Sequence, residues 1–280
     1  MFEEMINTIQ LGDCYELIKK IPDKSIDLVY TDVPYDIVYS GSGCLSKNVM
    51  KNKIMMNEHK ETLLKGIDYS ILDELCRVMK KIYIYIWCSK SQIKTFMDYF
   101  IDKKNCNFNI LVWCKDNPVP FCASNFLSDL EYCLVFYESG INIKQSGFEN
   151  KHKWYLSHIN INDKKKYSHP TIKPLEFVKN HINNSTNEND IVLDCFCGSG
   201  TTCVACKETG RRYIGMEIDL EYHKIAVDRL NGILANGQTT IFTDFSQLDK
   251  EKQNGWIYNR IHNNNIFNSS NSVLFSNRWW

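Results

Sequence analysis

The sequence predicts an α/β protein built on a doubly wound, mostly parallel sheet, and three stretches carry that expectation. In residues 190–219 an apolar run, Ile191-Val192-Leu193, ends at Asp194, turns through Phe196, Gly198, Ser199 and Gly200, and enters a helix-compatible TTCVACKE. A second run, Tyr213 to Met216, then ends at Glu217, so the order is strand, glycine turn, helix, strand. Residues 25–31 read as a buried strand that delivers Asp32-Val33-Pro34-Tyr35 to its carboxyl end. Residues 69–81 place Ile71, Leu72, Leu75, Val78 and Met79 at helical spacing, just ahead of a β-branched and aromatic strand at 82–88. Strands that alternate with helices pair in parallel through crossovers.

The remaining elements follow in order. Residues 8–13 read as a short strand ending in Asp13, and CYELIKKI after it is helix-like as far as Pro22. Residues 36–67 form a long loop with Gly41, Gly43 and several lysines, and loops of that length are usually functional or mobile. A helix around 92–101 leads to strands at 108–113 and 132–137, which predict an antiparallel hairpin across the loop 115–125. Residues 139–168 break the pattern: Lys144, Lys151, Lys153, Lys164, Lys165 and Lys166 alternate with His152, Trp154, Tyr155, His158 and Tyr167. A solvated loop explains a bare charge run, but basic residues mixed with aromatics also suit a nucleic-acid contact. A helix toward Ile182, a helix at 220–234, a strand at 239–243 and an Asn- and Ser-rich tail ending in Phe275, Trp279 and Trp280 complete the chain.

Composition sets the outer limits. With 280 residues and 44% apolar content, the chain can bury one core, with or without an inserted lobe. A formal net charge of +0 announces no nucleic-acid partner globally. The start, Met1-Phe2-Glu3-Glu4, is acidic and unlike a secretory leader, so the 12 Cys are expected as free thiols in a reducing, cytoplasmic compartment. Cys195, Cys197, Cys203 and Cys206 fall in the glycine turn and its helix, where burial as small apolar residues is a better reading than a metal knuckle, and no metal is expected. No run reaches the ~20 apolar residues of a membrane span, which predicts a soluble protein with no membrane partner.

Two motifs carry chemistry. The glycine turn lets a ligand approach the backbone closely while the following helix offers free N–H groups. Glu217, 23 residues beyond Asp194 (217 − 194), sits where an acid hydrogen-bonds a ribose diol, so the ligand should carry a nucleoside. A phosphate loop is absent, and Cys203 stands where a dinucleotide fingerprint has its third glycine. The second motif suits an exocyclic amine, whose lone pair is delocalised into its ring. Asp32 and the Val33 carbonyl can accept its two protons, Pro34 makes the turn rigid and holds Val33 extended, and Tyr35 can stack on a base.

These motifs resemble those of the DNA amino-methyltransferases. Asp32 to Tyr35 resembles their D-P-P-Y, His169 to Pro174 their H-P-T-x-K-P, and Asp194 to Thr202 with Glu217 their S-adenosylmethionine (SAM) turn and ribose acid; the order is that of the permuted beta class. The resemblance implies the Rossmann-like SAM-dependent methyltransferase fold and transfer of a methyl group from SAM, without a metal, to N6 of a flipped-out adenine in double-stranded DNA. It assigns catalysis to Asp32, Val33, Pro34 and Tyr35, and cofactor binding to Asp13, His169, Thr171, Lys173, Asp194, Phe196, Gly198, Ser199, Gly200, Thr201 and Glu217. Trp113, Lys115 and Asn117, from a W-x-K-x-N-x-x-P match, would line the target-base pocket, and Lys151, Lys153 and Trp154 would meet DNA. It divides the chain into a catalytic half (1–138, with the mobile loop 36–67), a short recognition insert (139–168), a SAM-binding half (169–250) and a polar tail (251–280). A bacterial or phage source, a homodimer and a restriction endonuclease partner are compatible with it. Val33 in place of the first proline costs rigidity, and Cys195 replaces a proline of the SAM turn. Cytosine-N4 methylation uses the same amine logic and remains open, although its enzymes more often carry serine where Asp32 stands. A catalytically silent DNA-binding or partner subunit that kept the fold also stays open. C5 methylation would need a cysteine nucleophile, usually after a proline, and no proline here precedes one; RNA-base and glutamine methyltransferases generally place the SAM turn first.

Overall fold

The computed structural model describes residues 2–36, 66–118, 126–144, 147, 149–159, 167, 172–234 and 237. All of these belong to a unit spanning 1–240; a second unit, 241–280, lies outside the described residues, as do most of the 36–67 loop and the strand expected at 239–243.

Eight strands form one sheet: β1 (Thr8–Leu11), β2 (Leu28–Asp32), β3 (Tyr83–Cys88), β4 (Asn107–Lys115), β5 (Leu130–Tyr137), β6 (Trp154–Ser157), β7 (Ile191–Asp194) and β8 (Arg212–Glu217), in the order β1-β8-β7-β2-β3-β5-β4-β6. All neighbours are parallel except those of β5, which is antiparallel to both β3 and β4. The expected hairpin is therefore present, with its second strand inserted against β3. The helices are α1 (Cys14–Leu17), α2 (Ile71–Val78), α3 (Ile93–Met97), α4 (Leu175–Ser185), α5 (Thr201–Glu208) and α6 (Leu220–Leu230).

Central strands are covered on both faces, which is why β3 reads as an unbroken apolar run and is buried throughout. One face carries Val29, Ile84, Ile86, Leu134 and Phe136 against α2 and against Phe96 and Phe100. The other carries Leu28, Tyr30, Tyr85, Trp87 and Val192 against Phe177, Val178 and Ile182 of α4 and Val204 of α5. Because β2 pairs with β7, the two halves read from the motifs share one sheet, and each contributes to the clusters on both of its faces.

The chain departs from the sequence expectation in two places. The helix expected over 92–101 is α-helical only to Met97 and continues as a π-helical turn, Asp98–Lys103, with Phe100 stacked on Phe136 at 4.6 Å. The stretch 139–168, expected to lack regular structure, contributes the edge strand β6. Its lysines masked a four-residue WYLS segment in which Tyr155 stacks on Phe177 at 4.8 Å and Ser157 accepts the Trp113 indole N–H at 2.9 Å. The ten described cysteines are free, and no group of His, Cys, Asp and Glu among the described residues could hold a metal. No helix among them is long and apolar enough to cross a membrane.

Candidate active site

Parallel strands all end on the same edge of a sheet, and here that edge gathers acids. In the neighbouring strands β8, β7 and β2 the last residues are Glu217, Asp194 and Asp32, and Asp13 follows the end of β1 by two residues. The reversed β5 begins at this edge and brings Glu131, while β4 ends there on Lys115. Such an edge is where ligands bind in open α/β sheets.

At its centre, Lys173, in the segment that leads into α4, donates to Asp32 Oδ2 at 2.5 Å and to the Tyr35 hydroxyl at 3.3 Å, and its ammonium lies 3.0 Å from Glu131 Oε2. Lys115 closes the other side of Glu131, with Nζ 2.6 Å from Oε1. The lysine ammonium of Lys173 also lies 5.0 Å from the centre of the Trp87 indole. Burial pushes the Asp32 carboxyl up, and the pull of Lys173 only partly offsets this. Burial acts the same way on Glu131, but Lys173 and Lys115 together outweigh it and hold that carboxyl below its ordinary range. Burial disfavours the charged form of Lys173, yet Asp32, Tyr35 and Glu131 keep its ammonium well above the ordinary range. Asp32 Oδ1 is buried and has no hydrogen-bond partner among the described residues.

The turn after Asp32 is fastened from β3 and α3. The Val33 N–H donates to the Trp87 carbonyl at 3.2 Å, and the wholly buried Gln92 donates to the Pro34 carbonyl at 2.9 Å while accepting the Ser89 N–H. The peptide units before Val33 and after Pro34 are thereby held, one on each side of the Val33 carbonyl.

The glycine turn is a separate construction at the end of the neighbouring strand, β7. Gly198 and Gly200 have φ of +49° and +74°, and a Cβ on Gly200 would lie 3.0 Å from that of Ala226. Glu217 bridges turn and strand: Oε2 accepts the Gly198 N–H at 2.8 Å and Oε1 the Asp219 N–H at 2.9 Å. Asp194 is buried beneath, accepting the Thr31 hydroxyl at 2.9 Å and the Phe196 N–H at 3.2 Å, and burial pushes its carboxyl up to about 7. Buried Arg229 of α6 donates to Thr201 Oγ1 at 2.8 Å and to the Ser199 carbonyl at 3.2 Å. A Cβ on Gly215 would meet Cys203 Sγ at 2.8 Å, so the close helix–strand approach served by a third glycine in other nucleotide folds is achieved here from the strand side.

The structure thus brings Asp32, Tyr35 and Lys173 together, and Asp194, Ser199, Thr201 and Glu217 around the glycine turn. Lys173, grouped with the cofactor on the motif, sits against Asp32. Asp13 is exposed and caps α1 through the Tyr15 N–H at 2.9 Å, beside the Glu217 carbonyl that accepts from Gly12. Trp113 is buried, and Asn117 accepts the Ile159 N–H at 2.6 Å. Lys151, Lys153 and Trp154 are not brought to the acidic edge: β6 runs parallel to β4, with Ser157 opposite Lys115, so these residues lie at its far end. His169 and Thr171 lie outside the described residues. Sequence reading missed Glu131, Gln92, Thr31 and Arg229; the only available signal was a charged or polar residue inside an otherwise apolar strand or helix.

An acid-tipped sheet edge, a glycine turn tied to the next strand's carboxylate, and an acid with one buried oxygen unclaimed among the described residues define a nucleoside-binding transfer enzyme. The profile of the DNA methylase family matches residues 26–228, and the chain belongs to that N6/N4 family, whose cofactor is SAM. It is 32% identical over 256 residues to the Type II methyltransferase M.HinfI of Haemophilus influenzae, covering 83% of this chain and 70% of that protein. It is 27% identical over 259 residues to the DNA adenine methyltransferase YhdJ of Escherichia coli, covering 82% and 84%. The solved M1.HpyAVI–SAM complex shares its fold with a TM-score of 0.56 at 24% identity, over 79% of this chain and 98% of that one.

Proposed function

We propose that the chain methylates N6 of adenine in double-stranded DNA, with Asp32 and the Val33 carbonyl as the groups that receive the target amine. The observation that carries this reading is the division of labour at Asp32, where Lys173 holds Oδ2 and Oδ1 has no hydrogen-bond partner among the described residues. The edge suits SAM: Glu217 would take its ribose diol, its cationic methionine end would lie toward Asp194 and Asp32, and glycines at 198 and 200 keep side chains out of the turn. Bound SAM supplies an electrophilic methyl group, whose C–S bond breaks as the N–C bond forms, the bonding pair leaving with sulfur. Before that, Asp32 Oδ1 and the Val33 carbonyl each accept an amine N–H, which localises the nitrogen lone pair. Afterwards the nitrogen carries a positive charge, and Asp32 accepts its extra proton for release to solvent. Tyr35, held as a neutral phenol by burial and by the Asp32 charge, presents its ring to the flipped base.

Adenine is favoured because the first motif position is Asp32 and because YhdJ, similar over most of the chain, is a DNA adenine methyltransferase. The likeness to Type II methyltransferases supports a bacterial or phage setting in the cytoplasm with a cognate restriction endonuclease; a homodimer is compatible with it. Mass spectrometry of nucleosides from DNA incubated with protein and SAM should yield N6-methyladenine. N4-methylcytosine would overturn the base assignment. Asp32→Ala should abolish transfer while calorimetry still finds SAM bound; a variant that turns over like the wild type would remove Asp32 from catalysis.

A further inference from the structure

Glu131 is a carboxylate on β5 that no motif accounts for, and it stands in a row of alternating charges. Lys115, Glu131, Lys173 and Asp32 come from four different segments, joined by contacts of 2.6, 3.0 and 2.5 Å. A surface ion pair would contribute little, but the side chain of Lys173 is only 10% exposed and that of Glu131 20%. A buried cation between two carboxylates divides its field between them. Glu131 is thus positioned to set how much of the Lys173 charge Asp32 receives.

From this geometry we infer that Glu131 is a positioning residue for methyl transfer: it shares the Lys173 ammonium with Asp32, anchors it on Oδ2, and so keeps Asp32 basic enough to take the amine proton through Oδ1. Lys115 sets the balance from the far side by neutralising Glu131. The inference rests on the assignment of Asp32 as the group that receives the amine. Other titratable groups face the cluster: the Tyr35 hydroxyl next to Asp32, Cys88 on β3 and Cys133 on β5. Burial pushes all three upward, so they stay neutral while Asp32 titrates. The Glu131 charge raises the Asp32 carboxyl and the Lys173 charge lowers it.

The two neighbours of Glu131 give variants of opposite sign. In Glu131→Gln the amide keeps an oxygen for Lys173 but loses the charge, so Lys173 serves Asp32 alone. The acid limb of the single-turnover rate, measured against pH with preformed enzyme–DNA complex and saturating SAM, should move to lower pH. The plateau should fall by ~10-fold or more, as when a partner that orients a reacting group is removed. In Lys115→Gln, Glu131 draws more on Lys173, and the acid limb should move to higher pH. SAM affinity by calorimetry should be unchanged in both, since neither residue reaches the glycine turn. A loss of rate in Glu131→Gln with the acid limb in place would mean that Glu131 only supports the structure, and limbs that move the same way in both variants would also overturn the inference. If Glu131→Gln does not fold, the shift in Lys115→Gln decides. A wild type that forms no methylated base would overturn the assignment of Asp32, and this inference with it; a wild type that methylates while both variants keep its acid limb would overturn only this one.

Discussion

At Asp32 the two carboxylate oxygens have different neighbours, and the difference comes from a residue 141 positions later in the chain. Lys173 is buried, so it can be held charged only by the acids around it. Replacing it by methionine keeps the stem but leaves Asp32 and Glu131 without a cation between them. The Asp32 carboxyl, already raised by burial, should then rise further, and the acid limb of the rate profile should move to higher pH. Single-turnover transfer should fall by ~10²-fold or more, the scale of a lost proton acceptor. Asp32 and Tyr35 were legible in the sequence because the motif is four consecutive residues. The contact with Lys173 was not, because it joins segments that meet only in the folded sheet.

At the scale of elements, the glycine turn depends on backbone conformation and on close packing together. Gly200 combines φ +74° with a 3.0 Å approach to Ala226, and both are features that a Cβ opposes. Gly200→Ala should therefore destabilise the fold by ~1–3 kcal/mol, read by chemical denaturation, and should weaken SAM binding in calorimetry. The turn itself was visible in the sequence because glycine spacing after an apolar run is a local signal. Its grip by Arg229 was not: one arginine near the end of an amphipathic helix looks like any solvated charge until α6 is laid against the turn. The strand β6 was hidden for a related reason, since its pairing with β4 and its stacking on Phe177 are long-range and its own composition is mixed.

For the whole molecule, two buried groups beneath the site oppose each other in pH dependence. Asp194 titrates near 7 in the folded chain against an ordinary 3.8, so the folded state binds the extra proton and gains stability as pH falls between those values. His181, whose Nδ1 is paired with the Tyr30 hydroxyl, is pushed by burial down from 6.5 to about 3; its contribution is complete above 6.5 and is lost as pH falls. Between about pH 4.5 and 6.5, where the two overlap, their contributions should largely offset each other in the wild type. Asp194→Asn should lose stability on acidification across that window, and His181→Gln should gain it, both measurable by thermal unfolding. A second consequence concerns DNA. Because Lys151 and Lys153 enter β6 at the end away from the acidic edge, charge reversal at both should leave DNA affinity and its salt dependence nearly unchanged; a salt slope reduced by about 2 would place both lysines on phosphates.

The sequence by itself determined the class of sheet, seven of its eight described strands in their order along the chain, the tetrapeptide Asp32 to Tyr35 and the glycine turn with its acid. Each is written in adjacent residues or in a short period, and local backbone preferences and burial patterns need nothing more. Only the tertiary structure decided which strands are neighbours, and with that the acid-lined edge, the charge row from Lys115 to Asp32, and the placement of Lys151 and Lys153 at the opposite end of β6. Those are properties of side chains more than a dozen residues apart in sequence. Their energies depend on distance and on the dielectric around them, and both are set only when the β2–β7 and β3–β5 pairings close the sheet.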